Sequence, residues 1–392
     1  MLRTTVTTCF LLALAACEAP AQSEPENDGT LSWADVLGAE ITDQYRGDDH
    51  RAFDFWIGEW EANWRAPVEG AFEHEAEGSW TRQRVFPILG GKALIELAWA
   101  RDNPDEPSQR GFSIRYYDEG NERWVMAQNW PNENNQGGAF LDQLVGRDHL
   151  GRLTMYSASS RPKPDGTLTA EHRRYNFTDI RPGKSFRWDG SNTSDKGATW
   201  RTWYVVDFLR NRGPDAYGQA GTAFPGVHNE VLCADAPHGA YDNLQGVWQG
   251  TARDPEGGVS PARLSAGILL DGCGVAAVLE TDADRTFMTF AHHPHLPYWV
   301  SYRLDDQPGT AHAYFVSNVA GTGAVFEESA PAIIKDEVTP FIVEKSFDTS
   351  TALRRTLWTA MNDNEIAFQD ETRETPTGEW RLVAEYQLQR QK

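Results

Sequence analysis

The stretch FDFWIGEWEANW, residues 53–64, opens a long extended run and sets the frame for the rest of the chain. A second stretch, LQGVWQGTA at residues 244–252, again places a glycine two residues before a tryptophan at the start of an extended run. The two pairs are Gly58 with Trp60 and Gly246 with Trp248. Self-similarity of this kind indicates an internal duplication.

Further segments recur in the same order after each opening. The apolar hairpin VFPILGGKALIEL (85–97) corresponds to AGILLDGCGVAAVLE (266–280). The ends also agree, because FRWDGSNTSDKGATWRTWYVVDFLR (186–210) and AFQDETRETPTGEWRLVAEYQLQR (367–390) both begin their last strand with Trp-Arg. In both last strands apolar residues alternate with more polar ones, which is typical of a strand with one buried face.

Many short antiparallel strands favour a closed arrangement, because an open sheet edge exposes unpaired backbone groups. An up-and-down barrel removes those edges. The sequence therefore predicts an all-β protein with two tandem antiparallel up-and-down barrels. The first barrel is expected at residues 49–212, a connector rich in Gly and Pro at 213–241, and the second barrel at 242–392.

The two Gly-x-Trp motifs are predicted to form the barrel floors. Gly58 and Gly246 allow the chain to turn tightly into the end of the barrel. Trp60 and Trp248 then plug that end with a large apolar ring. The motif is therefore interpreted as structural, and no catalytic role is assigned to either tryptophan.

An opening Gly-x-Trp followed by eight or more antiparallel strands resembles the calycin superfamily, which includes lipocalins, fatty-acid-binding proteins and nitrobindins. The first unit, over roughly residues 50–210, is similar to a bacterial family of exported proteins of unknown function that open with FDFWxGEW. The further motifs of that family stand here as Ile88-Leu89-Gly90-Gly91, Tyr116-Tyr117-Asp118 with Trp124, and Ser194-Asp195-Lys196-Gly197 with Trp200. The resemblance implies a calycin-like barrel. The second unit lacks FDFW, so its assignment depends on the internal alignment.

The N-terminus has the features of a bacterial lipoprotein signal. Arg3 precedes a short apolar run, and Leu14-Ala15-Ala16-Cys17 resembles a lipobox. We therefore expect residues 1–16 to be a signal peptide and Cys17 to carry the lipid. An ordinary secretory peptide with a chance cysteine is the alternative. Lipidation predicts a protein at the cell envelope that faces the periplasm, with the outer membrane favoured over the inner.

Residues 17–48 are predicted to be an acidic tether that ends in a short helix after Ser32. The net charge of −21 argues against nucleic acid as a partner and against direct attraction to anionic lipid head groups. The membrane partner is therefore expected to be reached through the N-terminal lipid. Cys233 and Cys273 remain as an even pair in an oxidising compartment, and we expect a disulfide between them. Two buried free thiols are the alternative.

Tryptophan is abundant, and a barrel of about eight strands either fills with side chains or holds one small ligand. The predicted ligand-pocket residues are Trp64, Trp80, Trp99, Arg115, Tyr117, Asn129, Trp130 and Trp188. An apolar pocket with few polar anchors is the usual form of a small-molecule site. The alternative is that the tryptophans fill a core, since a register change of one residue inverts the face that each one takes.

Histidine is concentrated in the segment His292-His293-Pro294-His295. His293, His295 and His312 are weak candidates for zinc or copper ligands. Because Pro294 disrupts the strand and no nearby Cys or carboxylate completes a set, no metal site is predicted. No haem motif is found, so no cofactor is expected. The sequence lacks a nucleophile elbow, an HExxH motif and a phosphate loop, and no catalytic residue is assigned.

These observations favour a non-catalytic envelope lipoprotein that binds or carries a small apolar or amphipathic ligand in a barrel cavity. An alternative is an envelope enzyme, isomerase-like or cyclase-like, that uses the same cavity. A third interpretation is a structural or interaction module whose barrels are filled. The sequence leaves the ligand and the oligomeric state open.

Overall fold

A computed structural model of the protein describes residues 33–68, 71–74, 80–100, 109–131, 142–149, 152–162, 168–195, 197–210, 233, 238–293, 298–333 and 344–391. The predicted signal peptide, Cys17, half of the predicted tether and most of the predicted connector lie outside these residues. Residues 32–392 form one compact unit. In the part of the chain that the structure describes, no helix has the length and apolar character needed to cross a membrane.

Two antiparallel sheets make up nearly all of the described structure, and each forms a barrel, as the sequence predicts. The strands of the first sheet are β1 Gly58–Val68, β2 Ala71–His74, β3 Trp80–Ile88, β4 Ala93–Ala100, β5 Gln109–Asp118, β6 Arg123–Asn129, β7 Asp142–His149, β8 Arg152–Pro162, β9 Leu168–Arg181, β10 Ser185–Thr193 and β11 Arg201–Arg210. Those of the second are β12 Gly246–Arg253, β13 Val259–Leu269, β14 Gly274–Thr281, β15 Arg285–His292, β16 Trp299–Asp305, β17 Ala313–Ser317, β18 Val325–Ile333, β19 Glu344–Asp348, β20 Arg354–Met361, β21 Glu365–Thr372 and β22 Arg381–Arg390.

Consecutive strands pair as neighbours, and the first ring closes where β1 pairs with β11. β2 attaches to β1 outside this ring. The second ring closes where β12 pairs with β22 and where β17 and β20 both pair with β18. β19 attaches to β18 in the same way that β2 attaches to β1. The internal duplication therefore extends to how each ring closes.

Helical structure is confined to short segments that join or close the barrels. The helix α1, Trp33–Leu37, buries Val36 and Leu37. Short 3-10 helices span Asp43–Tyr45, Asp48–Arg51, Asp54–Trp56, Leu89–Gly91, Glu119–Asn121, His238–Leu244 and Leu270–Gly272. Three of these, Asp54–Trp56, Leu89–Gly91 and Glu119–Asn121, lie at the end of the first barrel where β1 begins.

The two barrel floors are built alike. The Trp60 indole N–H donates a hydrogen bond to the Trp56 carbonyl oxygen at 2.6 Å, and that of Trp248 donates to the Leu244 carbonyl oxygen at 2.8 Å. Both tryptophans are buried. The preceding short 3-10 helix therefore holds the ring that closes each barrel.

An arginine at the end of the last strand completes each floor. The guanidinium of Arg210 lies 5.2 Å from the Trp60 ring centroid, and that of Arg390 lies 4.1 Å from the Trp248 ring. Gly58 has a φ of 127°, and a Cβ atom there would lie 1.7 Å from a nitrogen of Arg210. Glycine is therefore favoured by the backbone conformation, and a larger residue would also have to displace the Arg210 guanidinium.

The hairpin turn at each floor is held by the segment that precedes the barrel. In the first barrel, the Thr42 N–H donates to the Gly90 carbonyl and the Gly90 N–H donates to the Gly38 carbonyl, both at 2.8 Å. In the second barrel, a disulfide joins Cys233 to Cys273, directly after the turn, with 5.0 Å between the Cα atoms. The same turn is therefore fastened by backbone hydrogen bonds in one barrel and covalently in the other.

The outer faces of the barrels meet through equivalent strands. Phe112 pairs with Leu97, and Phe287 pairs with Val278 at the same position of the second barrel. The two phenylalanine rings stack on each other, with centroids 6.2 Å apart and an interplanar angle of 5°. A contact between equivalent positions is the mark of an isologous interface. The two halves therefore pack as an internal pseudo-dimer.

Polar contacts extend this interface on one side. The Lys92 ammonium donates to the Gln307 carbonyl oxygen at 2.6 Å, and the Tyr45 hydroxyl donates to the Asp306 carbonyl oxygen at 2.6 Å. The Tyr116 hydroxyl lies 2.6 Å from His312 Nδ1. The end of the β16–β17 hairpin thus lies against the floor of the first barrel.

Candidate functional site: a buried polar cluster in the first barrel

Four polar residues on three neighbouring strands share the inner face of the first barrel. Residues opposite each other on adjacent strands lie on the same face. Gln83 of β3 lies opposite the floor residue Trp60, and Glu96 of β4 lies opposite Ser113 of β5. Arg115 follows Ser113 by two positions and therefore takes the same face. All four side chains are 0% exposed.

Arg115, Glu96 and Ser113 form a closed set of hydrogen bonds. Arg115 Nη2 donates to Glu96 Oε2 at 2.6 Å and to Ser113 Oγ at 2.8 Å. The Ser113 hydroxyl donates to the same carboxylate oxygen at 2.6 Å. The guanidinium also lies over the Trp56 ring, 3.8 Å from its centroid. The pair is thus fixed in position above the aromatic floor.

Burial sets the electrostatics of this pair. Desolvation lowers the pKa of Arg115, and the negative charge of Glu96 opposes that effect. An ion pair away from water is maintained only when geometry and hydrogen bonds compensate the desolvation. The cluster is therefore an energetically demanding feature that a barrel core does not need.

Several polar atoms around this pair have no hydrogen-bond partner among the described residues. They are Gln83 Nε2 and Oε1, Glu96 Oε1, Arg115 Nη1, and the indole nitrogens of Trp56 and Trp188. A buried polar atom left without a partner costs about 1–3 kcal/mol. Such atoms in a native structure call for a specific explanation, and a bound molecule or water is one.

An aromatic wall adjoins the polar cluster, formed by side chains of β1, β10 and β11 and by the residue that follows β6. The Trp64 ring centroid lies 5.5 Å from that of Trp130, 6.0 Å from that of Trp188 and 5.3 Å from that of Tyr204. Trp188 in turn lies 5.7 Å from Trp56, on which Arg115 rests. The predicted pocket residues Trp64, Trp130, Trp188 and Arg115 are therefore part of one connected inner surface.

The other predicted pocket residues are placed differently. Asn129 lies opposite Phe112, so it takes the outer face of the sheet, and including it in the pocket was wrong because it neighbours the inward Trp130. Tyr117 is half-buried near the floor and contacts Trp124. The side chains of Trp80 and Trp99 lie outside the described residues.

The second barrel has no such cluster at the equivalent positions. Strand pairing from the two floor tryptophans aligns Gln83 with Leu264, Glu96 with Ala277, Ser113 with Met288, and Arg115 with Phe290. All four residues of the second barrel belong to its apolar core. The same frame therefore carries polar groups in one barrel and ordinary core packing in the other.

The second barrel has inward polar groups elsewhere, and these bond to one another. Arg303 Nη1 donates to the Thr356 hydroxyl at 2.8 Å, and that hydroxyl donates to the Asp370 carboxylate. The Arg303 guanidinium also lies 4.2 Å from the Phe315 ring centroid. These three side chains are therefore paired within the chain, whereas the indole nitrogen of Trp358 in the same core has no hydrogen-bond partner among the described residues.

Sequence reasoning missed Gln83, Glu96 and Ser113. Glu96 lies within the apolar hairpin 85–97, and the corresponding residue of hairpin 266–280 is Ala277. The internal alignment therefore places a charged residue opposite a small apolar one, which was the available signal for Glu96. Gln83 and Ser113 carry no comparable signal until the strand register is known.

The histidines do not form a site in the described structure. His312 Nδ1 is engaged by the Tyr116 hydroxyl, and His295 lies outside the described residues. Among the residues that the structure describes, no group of three His, Cys, Asp or Glu side chains is arranged to hold a metal ion. The zinc or copper candidates of the sequence stay an untested prediction.

No protein-family model matches the sequence, and no curated protein is detectably similar to it. Among solved structures, the chain is similar to a protein of unknown function from the DUF3598 family of Nostoc punctiforme. That likeness covers 88% of this chain and 100% of the other, with 9% identity and a TM-score of 0.23. A putative AttH from Nitrosomonas europaea is 11% identical over 85% of this chain and 92% of its own, with a TM-score of 0.11. At these TM-scores, neither likeness carries an argument about this protein.

Proposed function

We propose that the first barrel binds one small amphipathic molecule, and that the second barrel serves as its filled structural partner. The observation that carries the proposal is the set of buried polar atoms without described partners on Gln83, Glu96 and Arg115. A polar head group that bonds these atoms would remove their desolvation cost. The aromatic wall around Trp64 and Trp188 would receive the apolar part of the same molecule.

The internal duplication supports this division of roles. The second barrel keeps the same floor and strand order with an apolar core at all four positions. Polar residues at these four positions are therefore not needed to close a barrel of this kind. The four polar residues of the first barrel are costly to bury and are replaced by apolar residues in the second. A task that only the first barrel performs explains them best.

We also propose a place for the protein and a class for its barrels. The lipobox-like Leu14-Ala15-Ala16-Cys17 supports attachment to the envelope through a lipid on Cys17, with the chain facing the periplasm. The Gly-x-Trp motif at each closed end supports a calycin-like barrel. A carrier of amphipathic molecules at the envelope is consistent with both proposals.

A graft of the second barrel's residues into the first tests the binding proposal. The variant Gln83→Leu, Glu96→Ala, Ser113→Met, Arg115→Phe replaces the cluster with the apolar residues found at the equivalent positions. Replacing a buried ion pair by apolar residues is often neutral or stabilising by about 1–4 kcal/mol, so we expect a folded barrel. Binding is measured by the fluorescence of Nile red, an uncharged amphipathic dye, and by native mass spectrometry of the protein as purified.

We expect wild-type protein to bind the dye or to retain a co-purified molecule, and the grafted variant to lose both. Met288→Leu, at the second barrel's equivalent of Ser113, is the matched control and should leave binding unchanged. A grafted variant that folds and binds as wild type does would contradict the proposal. Wild-type protein that neither binds the dye nor retains a molecule would contradict it as well.

A further inference from the structure

We infer that the molecule bound by the first barrel carries an uncharged head group that both donates and accepts hydrogen bonds, such as a primary amide, and not a carboxylate or an amine. This inference deepens the proposed function and rests on it. The carrying observation is that Glu96 already neutralises Arg115 inside the barrel, with a 2.6 Å contact.

Charge balance is the first argument. The guanidinium of Arg115 and the carboxylate of Glu96 are 0% and 1% exposed, and Glu96 is the charged group whose field acts on Arg115. The described residues around the pair include the Trp56 ring, Gln128, which lies opposite Ser113, and Met126, whose sulfur lies 3.4 Å from Arg115 Nε. Arg115 is the only cation of the described cluster and Glu96 already pairs with it, so a ligand carboxylate would add an unbalanced negative charge. Burying an unbalanced charge is strongly unfavourable.

The pattern of donors and acceptors is the second argument. Arg115 Nη1 offers a donor, Glu96 Oε1 offers an acceptor, and the Gln83 side-chain amide offers both. A carboxylate only accepts hydrogen bonds and an ammonium only donates them, so either would leave part of this set unpaired. An amide has a carbonyl oxygen for the arginine and an N–H group for the glutamate.

The strand register brings the polar side chains of Gln83, Glu96 and Arg115 together as one site. Gln83 lies opposite Ala98, and Glu96 is two residues from Ala98 on the same strand and face. Gln83 and Glu96 are therefore diagonal neighbours across β3 and β4, and a third group that bonds both would lie between them. A head group placed there would reach β3, β4 and β5 together.

Four ligands with the same chain length test the inference on full-length wild-type protein. They are dodecanamide, dodecanol, dodecanoate and dodecylamine, measured by displacement of Nile red and by calorimetry at neutral pH. We expect the amide to bind about tenfold or more tightly than the carboxylate and the amine, which corresponds to one hydrogen bond to a charged group. The alcohol, which has one donor and an acceptor, should lie between them.

The outcomes separate the inference from the proposed function. Binding led by dodecanoate or dodecylamine overturns the inference and leaves the binding function standing. Binding by none of the four, together with no displacement of Nile red, counts against the proposed function, and the inference falls with it.

A charge variant sharpens the test. Glu96→Gln leaves Arg115 without its counter-ion, so the variant should prefer dodecanoate over dodecanamide, reversing the wild-type order by about tenfold. Because an unbalanced Arg115 destabilises the barrel, dodecanoate should also raise the melting temperature of this variant more than dodecanamide does. If the variant folds only when dodecanoate is present, that rescue also shows the expected preference for dodecanoate.

Glu61→Gln is the matched control. Glu61 neighbours Trp60 on the outer face and pairs with Arg82 at 3.7 Å, so the same substitution breaks an ion pair outside the barrel. The control should keep the wild-type ligand order. An unchanged order in a folded Glu96→Gln variant would overturn the inference.

Discussion

The two barrels share one frame and differ inside it. Each barrel begins with Gly-x-Trp and ends with an arginine that lies over that tryptophan. In each, the hairpin turn at Leu89–Gly91 or Leu270–Gly272 lies at the floor. At four equivalent inner positions, however, the first barrel has Gln, Glu, Ser and Arg, whereas the second has Leu, Ala, Met and Phe. Comparing equivalent positions of the two barrels therefore indicates which residues the fold needs.

This difference shows how to separate structural from functional burial. The floor tryptophans and arginines are present in both copies, so they belong to the frame. At these four positions the polar cluster is present in one copy only and is costly there, because a buried ion pair gains little over apolar packing. Its presence marks the first barrel as the one with an additional task.

Breaking the ion pair on one side gives the largest expected effect. Arg115→Met leaves Glu96 buried without its counter-ion, and we expect a loss of about 3–5 kcal/mol in the free energy of unfolding. Phe290→Met makes the same final residue at the equivalent position of the second barrel. There we expect less than about 1.5 kcal/mol, because the exchange is between apolar side chains.

Urea unfolding followed by tryptophan fluorescence compares the two variants directly. Equal losses of unfolding free energy for Arg115→Met and Phe290→Met would show that the ion pair costs no more to break than ordinary core packing. The contrast between the barrels would then have no energetic basis.

The fold was accessible from the sequence because its signals are repeated. The period of two in residues 200–210 and 380–390, and the two Gly-x-Trp motifs, each specify a strand with one buried face. Because the motif and the last strand occur in the same order in both halves, the sequence indicates where each unit begins and ends. The structure adds details that local pattern does not contain, such as the stacking of Phe112 on Phe287 between the barrels.

The site was accessible only in part. Trp188 was predicted from the abundance of tryptophan, and Arg115 was predicted as a polar anchor near the tryptophans. Asn129 was misplaced, since its neighbour Trp130 points inward and successive strand residues alternate in face. The bond between Arg115 and Glu96 joins two strands, and which residues oppose each other depends on register across the sheet, which composition and local period do not determine.

The fastening of the floor turns is a second contrast, with a smaller expected effect. Cys233→Ser with Cys273→Ser removes the covalent link of the second barrel, and we expect a loss of about 2–4 kcal/mol in unfolding free energy. Thr42→Ala removes one hydrogen bond to Gly90 at the first barrel's turn, a side-chain contact of 3.1 Å. That change should cost only about 1 kcal/mol.

Reductant provides the independent check, because wild-type protein unfolded with and without dithiothreitol should reproduce the difference between wild type and the double serine variant. A disulfide that contributes nothing measurable would mean that the second barrel's turn is held by packing alone. The two turns would then be fastened to a similar degree.

The interface between the barrels contains a third contrast. Tyr116 of the first barrel and Ala291 of the second occupy equivalent positions, so the isologous contact is asymmetric there. The Tyr116 hydroxyl accepts the His312 backbone N–H at 3.1 Å, and it can donate its own proton to Nδ1 of the same residue when that nitrogen is unprotonated. The imidazole also stacks on Tyr302, with ring centroids 5.2 Å apart. Donation by the Tyr116 hydroxyl requires an unprotonated Nδ1.

Acid should weaken the side of the interface that contains Tyr116. Burial lowers the pKa of His312 from 6.5 to about 4, with Asp118 raising it and Arg123 lowering it to a smaller extent. Between these two pH values the unfolded chain takes up a proton at His312 that the folded chain does not, so the free energy of unfolding falls as the pH falls. Well above pH 6.5, where the unfolded chain is also deprotonated at His312, this residue contributes no pH dependence.

His312→Gln removes that titration and keeps a side chain that accepts a hydrogen bond from Tyr116. Because all other ionisable groups are unchanged, the difference between wild type and variant isolates His312. We expect wild-type protein to lose more unfolding free energy than the variant between pH 7 and pH 5, measured by urea unfolding at each pH. Equal losses would mean that His312 can be protonated within the interface, and that the Tyr116 contact does not distinguish the two halves of the pseudo-dimer.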